Sequence, residues 1–247
     1  MTTPKIVLTD IAKAFGPHRV LDGVDLAIER GESLTIIGQS GSGKSVMLKC
    51  ILGLIQPDRG SIRVDGEEML GLKGRELDRA RAKFGMLFQS GALFDSLPVW
   101  RNVTFALTQG RTIETARMRK IAQENLERVG LDATVLDLKP IELSGGMQKR
   151  VALARAIAPR PEIIFFDEPT TGLDPVLVNT IHQLIKTLHG QHHFTAVMVS
   201  HEIPEIFQIA DRVAMLHEGR IVEAGPPATI RASTNPVVRR FINGEPE

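Results

Sequence analysis

Eight consecutive residues of this 247-residue chain, Gly38-Gln39-Ser40-Gly41-Ser42-Gly43-Lys44-Ser45, follow the spacing G-x4-G-K-[ST]. A short apolar run, Ser33–Ile37, precedes them and reads as a strand; an apolar-periodic helix follows to about Leu54. That setting suits a phosphate cradle. Glycines let successive backbone N–H groups turn toward phosphate oxygens, and a helix N-terminus adds partial positive charge. Lys44 then reaches the β- and γ-phosphates, and the Ser45 hydroxyl ligates Mg2+. A glycine-rich turn with a chance lysine is the plainer account, and the flanking strand and helix count against it. Alone, the motif specifies only a nucleoside triphosphate.

Downstream, Ile163–Phe166 is an apolar strand followed by Asp167, Glu168 and Pro169. In open α/β sheets, ligands gather at the carboxyl ends of strands, where this one delivers two carboxylates. Asp167 is the candidate Mg2+ ligand. Glu168 is the candidate acceptor for a proton from an attacking water, a role worth roughly 10²–10⁴-fold in rate. Two acids after a strand are common by themselves; the upstream phosphate motif promotes them. Leu143-Ser144-Gly145-Gly146-Met147-Gln148 opens a further helix. Ser144, Gly145 and Gly146 leave N–H groups open at its start, a second anion site, although an ordinary serine N-cap accounts for Ser144 too.

The elements that must position these residues alternate in type. Strands are expected at Ile6–Thr9, Val24–Glu29, Ser61–Val64, Phe84–Phe88, Thr195–Val199, Val213–Leu216 and Arg220–Glu223, with Asp22-Gly23 as a turn before the second. Helices are expected at Thr112–Val129, Gly145–Ala158 and Val176–His189, and no strand signal occurs between Val99 and Ala158. The expected fold is α/β: a phosphate-loop core with a mainly parallel sheet, an N-terminal antiparallel β subdomain and a helical insertion. Expected boundaries are 1–89, 90–160 and 161–247.

Composition narrows the function. Apolar residues make up 43% and charged residues 24%, the ordinary globular range. One cysteine, Cys50, excludes a disulfide framework and a multi-cysteine zinc site, and suits a reducing compartment. Thirty basic against twenty-nine acidic residues give a net charge of +1, so no broad basic field would attract nucleic acid. The local cluster around Arg75–Lys83 reads equally well as a solvated helix face. The start MTTPKIVLTD has no leader pattern, and no apolar stretch approaches a membrane span. The expectation is a soluble cytoplasmic chain that works at a membrane through a partner.

The order of the motifs resembles that of the ATP-binding cassette (ABC) ATPases, with Leu143–Gln148 as the signature. The resemblance covers essentially the whole chain and implies several further roles. Phe15 matches the aromatic that stacks on adenine, against a plain core phenylalanine at a strand end. Gln89 matches the glutamine that senses Mg2+ and the attacking water. Leu173-Asp174 resembles the loop that communicates across a dimer, and His201 matches the switch histidine at the γ-phosphate. The implied cofactors are ATP and Mg2+. The implied working unit is a homodimer in which Ser144, Gly145 and Gly146 of one subunit close on the nucleotide held by the other.

A single cassette without a span implies a separate integral membrane permease and a peripheral place on the cytoplasmic face of the inner membrane. The stretch Leu87–Phe94 with Leu97-Pro98-Val99, Met147 in the signature and the short tail Asn235–Gly244 look most like the ATPases of Mla-type, Mce-associated phospholipid transporters. Mce-type and small STAS-type subunits would be accessory partners there. Two alternatives stay open: a motor for import of amino acids or other small solutes, and a non-transport ABC ATPase of DNA repair or translation. The latter is weakened because 98 positions from Ser45 to Leu143 leave no room for a long coiled-coil arm.

Overall fold

The computed structural model describes residues 3–109 and 112–245. Met1 and Thr2, the first two residues of the MTTPKIVLTD start, lie outside the described residues. Two compact units divide the chain: one runs to Phe84 and resumes at Phe194, the other is Gly85–His193.

The first unit begins with β1 (Ile6–Phe15), β2 (His18–Ile28), β3 (Ser33–Ile37), α1 (Lys44–Ile51), β4 (Arg59–Val64), β5 (Glu67–Glu68) and α2 (Gly74–Arg81). The second begins within β6 (Phe84–Leu87), at Gly85, and holds α3 (Val99–Thr104), α4 (Thr115–Arg128), α5 (Gly145–Ile157), β7 (Ile163–Asp167) and α6 (Pro175–His192). The chain then returns to the first unit with β8 (Thr195–Ser200), α7 (Ile203–Ile206), β9 (Arg212–His217), β10 (Arg220–Gly225), α8 (Pro227–Arg231) and α9 (Pro236–Asn243).

In the first unit, an antiparallel sheet in the order β2-β1-β4-β5 carries the N-terminal hairpin. The Asp22-Gly23 turn expected from the sequence is not one. Asp22 pairs with Ala12 inside β2, and the chain reverses instead at Gly16-Pro17, where Phe15 pairs with His18. Gly23 (φ +82°) and Asp10 (φ +48°) face each other where the register shifts, so a β-bulge produces the turn-like signal. The hairpin arms thus extend well past the short runs read from the sequence.

The other strands of this unit run β10-β9-β3-β8. Strand β3 is parallel to both β8 and β9, while β10 closes antiparallel on β9. All five residues of β3 and all six of β8 are buried, as expected for strands covered on both faces. Burial explains why short continuous apolar runs rather than alternation announced them. The cluster Arg75–Lys83 is partly tied down: Arg81 donates to the Leu52 and Gly53 carbonyls (3.1 and 2.7 Å), and Lys83 pairs with Asp65 at 2.8 Å.

In the second unit, α3, α4 and α5 bury Val103, Ala122, Leu126, Val151 and Leu153 among themselves and their neighbours. Ser144 caps α5, its Oγ accepting from the Met147 N–H at 3.3 Å. Asp174 caps α6, its Oδ1 accepting from Val176 and Leu177 N–H at 3.0 and 3.1 Å. The expected helices are present, each within a few residues. Among the described residues no helix is long and apolar enough to cross a membrane.

Candidate functional site

The phosphate loop occupies the carboxyl end of β3. Ile37 is level with Ser200 of parallel β8 and with Met215 of β9, so Gly38 and His201 leave neighbouring strands side by side. Gly38 has no space for a side chain: a Cβ there would lie 2.2 Å from the Leu216 carbonyl oxygen. Gly41 (φ +81°) and Gly43 (φ +101°) adopt backbone conformations that L side chains avoid. Gly43 is also the N-cap of α1 and has no side chain to cap it, so the positive end of the helix dipole faces the loop without a side-chain acceptor from the cap.

Lys44 is buried to 5% exposure, and its ammonium donates to the Gly38 and Gln39 carbonyls, both at 2.7 Å. Those bonds hold the charge inside the arc of the loop. The Ser42 hydroxyl is a buried oxygen with no hydrogen-bond partner in the protein, and it faces Gly38 across the loop. A cradle of backbone donors, a buried cation and an orphaned hydroxyl fit a polyphosphate.

A cleft of about 380 Å³ opens beside this loop. Ser40, Gly41 and Ser42 line one side; His18, Arg19 and Val20 line another. Phe15, paired with His18 at the tip of the hairpin, is 48% exposed, an unusual state for a large ring. The core-phenylalanine account of Phe15 therefore fails, and the ring is available to a planar ligand. Its ring also receives Lys13, whose ammonium lies 5.4 Å from the ring centroid.

The second unit gathers the carboxylates, the glutamine and the signature. Asp167 ends β7 at 9% exposure, and Glu168 follows with φ +46°. A non-glycine residue in that region costs about 1–3 kcal/mol and persists where its surroundings over-determine it. They do: Glu168 Oε2 accepts from Gln89 Nε2 at 3.2 Å and from Thr171 Oγ1 at 3.0 Å. Gln89 is itself fixed by α5, because Lys149 donates to its carbonyl. Arg155, also of α5, donates to the Gly91 and Ala92 carbonyls, each at 2.6 Å. One helix therefore begins at the signature and anchors the glutamine loop with two cations.

At the start of that helix, Gly146 packs closely on α6, since a Cβ there would lie 3.2 Å from the Leu177 side chain. The segment Leu173–Leu177 thus packs directly on the signature. Lys149, Arg155, Thr171 and Lys13 were missed in the sequence. Only Thr171 left a signal, a hydroxyl three positions after the candidate base; the cations act on backbone carbonyls, which no residue pattern announces.

A strand-borne phosphate loop, paired carboxylates after an apolar strand and a serine-capped signature helix define a cassette-type nucleotide-binding protein. The profile of the family described as ABC transporter matches residues 21–171, and the chain belongs to that family as an ATP-hydrolysing cassette. A probable ribonucleotide transport ATP-binding protein, mkl, of Mycobacterium leprae is 40% identical over 97% of this chain, which spans 69% of that relative's length. The intermembrane phospholipid transport system ATP-binding protein MlaF of Escherichia coli is 38% identical over 96% of this chain and 88% of its own length. A solved dimeric ATP-binding cassette, in a post-hydrolysis state bound to ADP and Pi, has TM-score 0.82 and 34% identity, covering 90% of this chain and 98% of that one. The solved structure of cbiO1 from Clostridium perfringens, part of the ABC transporter complex cbiONQ, has TM-score 0.84 and 27% identity over 98% and 95% of the two chains.

Proposed function

We propose that the chain is the motor of a phospholipid transporter, hydrolysing ATP on the cytoplasmic face of a membrane and passing the resulting movement to a separate permease. The similarity to MlaF over 88% of that protein carries this reading. The apolar stretch after Gln89 supports it. A ribonucleotide carrier is the second reading, favoured by the 40% identity to mkl.

In the proposed reaction, backbone N–H groups from Gly38 to Gly43 and the Lys44 ammonium hold the β- and γ-phosphates of ATP. Phe15 stacks on the base. Glu168 takes a proton from the water that attacks the γ-phosphorus, and ADP and phosphate leave. Gln89 Nε2 and the Thr171 hydroxyl hold the Glu168 carboxylate in place for that transfer. His201 contacts the γ-phosphate.

The Ser45 hydroxyl, the Gln89 amide oxygen and the Asp167 carboxylate are hard oxygen donors of the kind Mg2+ takes. Mg2+ bound by them would neutralise developing charge on the phosphate oxygens. Ser144, Gly145 and Gly146 serve the nucleotide of a second copy, with Asp174 beside them. Mce-type and STAS-type subunits are the proposed accessory partners.

The deciding experiment is purification of the tagged full chain from detergent-extracted membranes, with identification of bound proteins and lipids. A permease carrying phospholipid is expected. Recovery with a ribonucleotide carrier would favour the second reading, and recovery with ribosomes or DNA would overturn both.

A further inference from the structure

The end of β1 is held more tightly than a strand end next to a hairpin tip requires. Asp58, just before β4, receives the Lys13 ammonium at 2.7 Å and the Ala14 N–H at 2.7 Å. Its own N–H returns to the Ala12 carbonyl at 2.8 Å. These bonds fix residues 12–14, the three before Phe15. The same Lys13 ammonium then lies 5.4 Å from the centroid of the Phe15 ring, inside the roughly 6 Å range of cation–π attraction.

Lys13 is only 16% exposed, whereas the ring it touches is 48% exposed. A half-exposed phenyl group free to change rotamer loses that freedom when a ligand stacks on it, and the loss weakens binding. A cation pinned by Asp58 removes much of that freedom beforehand. The cation lies over the ring, and the residue still keeps 48% of its surface exposed.

We propose that Lys13 is a positioning residue for nucleotide recognition, pinned by Asp58 so that it presents the Phe15 ring to the base. The proposal rests on the reading of Phe15 as the base-stacking residue. Its effect is on affinity, because Lys13 acts on the ring and touches no reacting atom.

The test is a double-mutant cycle on the full chain, read by equilibrium binding of ADP, which carries the base without turnover. Lys13→Met is expected to weaken ADP binding about two- to fivefold, the range of an exposed cation–π contact. Lys13→Arg should bind as wild type, since a guanidinium also stacks on a ring. In ATP hydrolysis the Lys13→Met loss should fall on KM, with kcat unchanged. Added to Phe15→Ala, Lys13→Met should weaken ADP binding no further. Thermal melting checks folding, and Asp58 keeps the Ala14 N–H in every variant.

Wild-type affinity in Lys13→Met with a clear loss in Phe15→Ala would overturn the role of Lys13 alone. An equal loss from Lys13→Met with and without the ring would overturn it too, assigning the effect to simple attraction between charges. Wild-type affinity in Phe15→Ala would remove the stacking reading, and this proposal with it.

Discussion

The Gln89 side-chain amide donates to the Glu168 carboxylate at 3.2 Å, and Lys149 of the signature helix holds the carbonyl of the same glutamine. The proposed base is therefore aimed by a loop that is itself fastened to the helix carrying Ser144. A change at the loop alters the orientation of the carboxylate without removing it.

Glu168→Gln separates chemistry from binding. Glutamine keeps an oxygen to accept from Thr171 Oγ1, so the local fold is retained, but it is a poor proton acceptor. We expect kcat to fall about 10²–10⁴-fold with ATP affinity retained. Lys44→Ala should instead weaken ATP binding itself, because the charge inside the loop is lost. Phosphate release and equilibrium binding on both variants check this, and wild-type turnover in Glu168→Gln would remove Glu168 from the role.

The trans arrangement of the signature is tested by Ser144→Arg. The substitution removes a helix cap, so a loss of about 1 kcal/mol in stability is expected from that alone. Beyond that, nucleotide binding in the variant's own phosphate loop should persist while the ATP-bound dimer fails to form. Sedimentation in a Glu168→Gln background reads both. A normal ATP-dependent dimer would count against the arrangement.

Much of this was legible in the sequence because backbone constraints chose the residues. Gly38, Gly41 and Gly43 are there because a Cβ collides or the backbone angle forbids it. Their pattern survives in one sequence without any alignment. The buried strands β3, β7 and β8 were legible for a similar reason, as short apolar runs. The turn signal at Asp22-Gly23 was misleading because a bulge needs the same residue types as a turn: Gly23 supplies left-handed backbone inside a strand. The positioning cations were illegible because Lys149 and Arg155 look like ordinary charges of a helix surface; only the fold reveals that they end on the carbonyls of Gln89, Gly91 and Ala92.

Cys50 gives a prediction about reactivity. It is fully buried in α1, and desolvation pushes its thiol up to about 11. At pH 8 the native protein should react with a thiol reagent at least tenfold more slowly than the denatured chain, because the thiolate is the nucleophile. The sign for stability follows. The unfolded chain ionises this thiol near 9, so the contribution is intact below that pH and is lost as pH rises toward 11. Denaturant midpoints for wild type and Cys50→Ala across pH 8–10.5 check it; parallel curves would show that the thiol does not set the slope.

The apolar stretch after Gln89 divides between core and surface, which changes how permease docking should be tested. Val99 is completely buried and Trp100 is 6% exposed, whereas Phe94 is 40% exposed and Leu93 and Leu97 are half-buried. The buried Asn102 side chain shapes the exposed part, accepting from the Phe94 N–H at 2.7 Å and donating to the Leu97 carbonyl at 3.0 Å. Phe94 then turns outward against Phe105, with ring centroids 4.3 Å apart. A loop so fixed, with apolar side chains in water, suits a helix-in-groove contact with a permease. Val99→Arg cannot test this, because an unpaired buried charge costs about 3–5 kcal/mol and would unfold the second unit. Leu97→Arg and Phe94→Arg should keep the melting temperature and the basal ATPase of the isolated subunit while loosening its co-purification with the permease. Where the cell has an outer membrane, lipid asymmetry should fail, read as detergent sensitivity. Full co-purification by both variants, with asymmetry intact, would return these side chains to packing and rule the docking out.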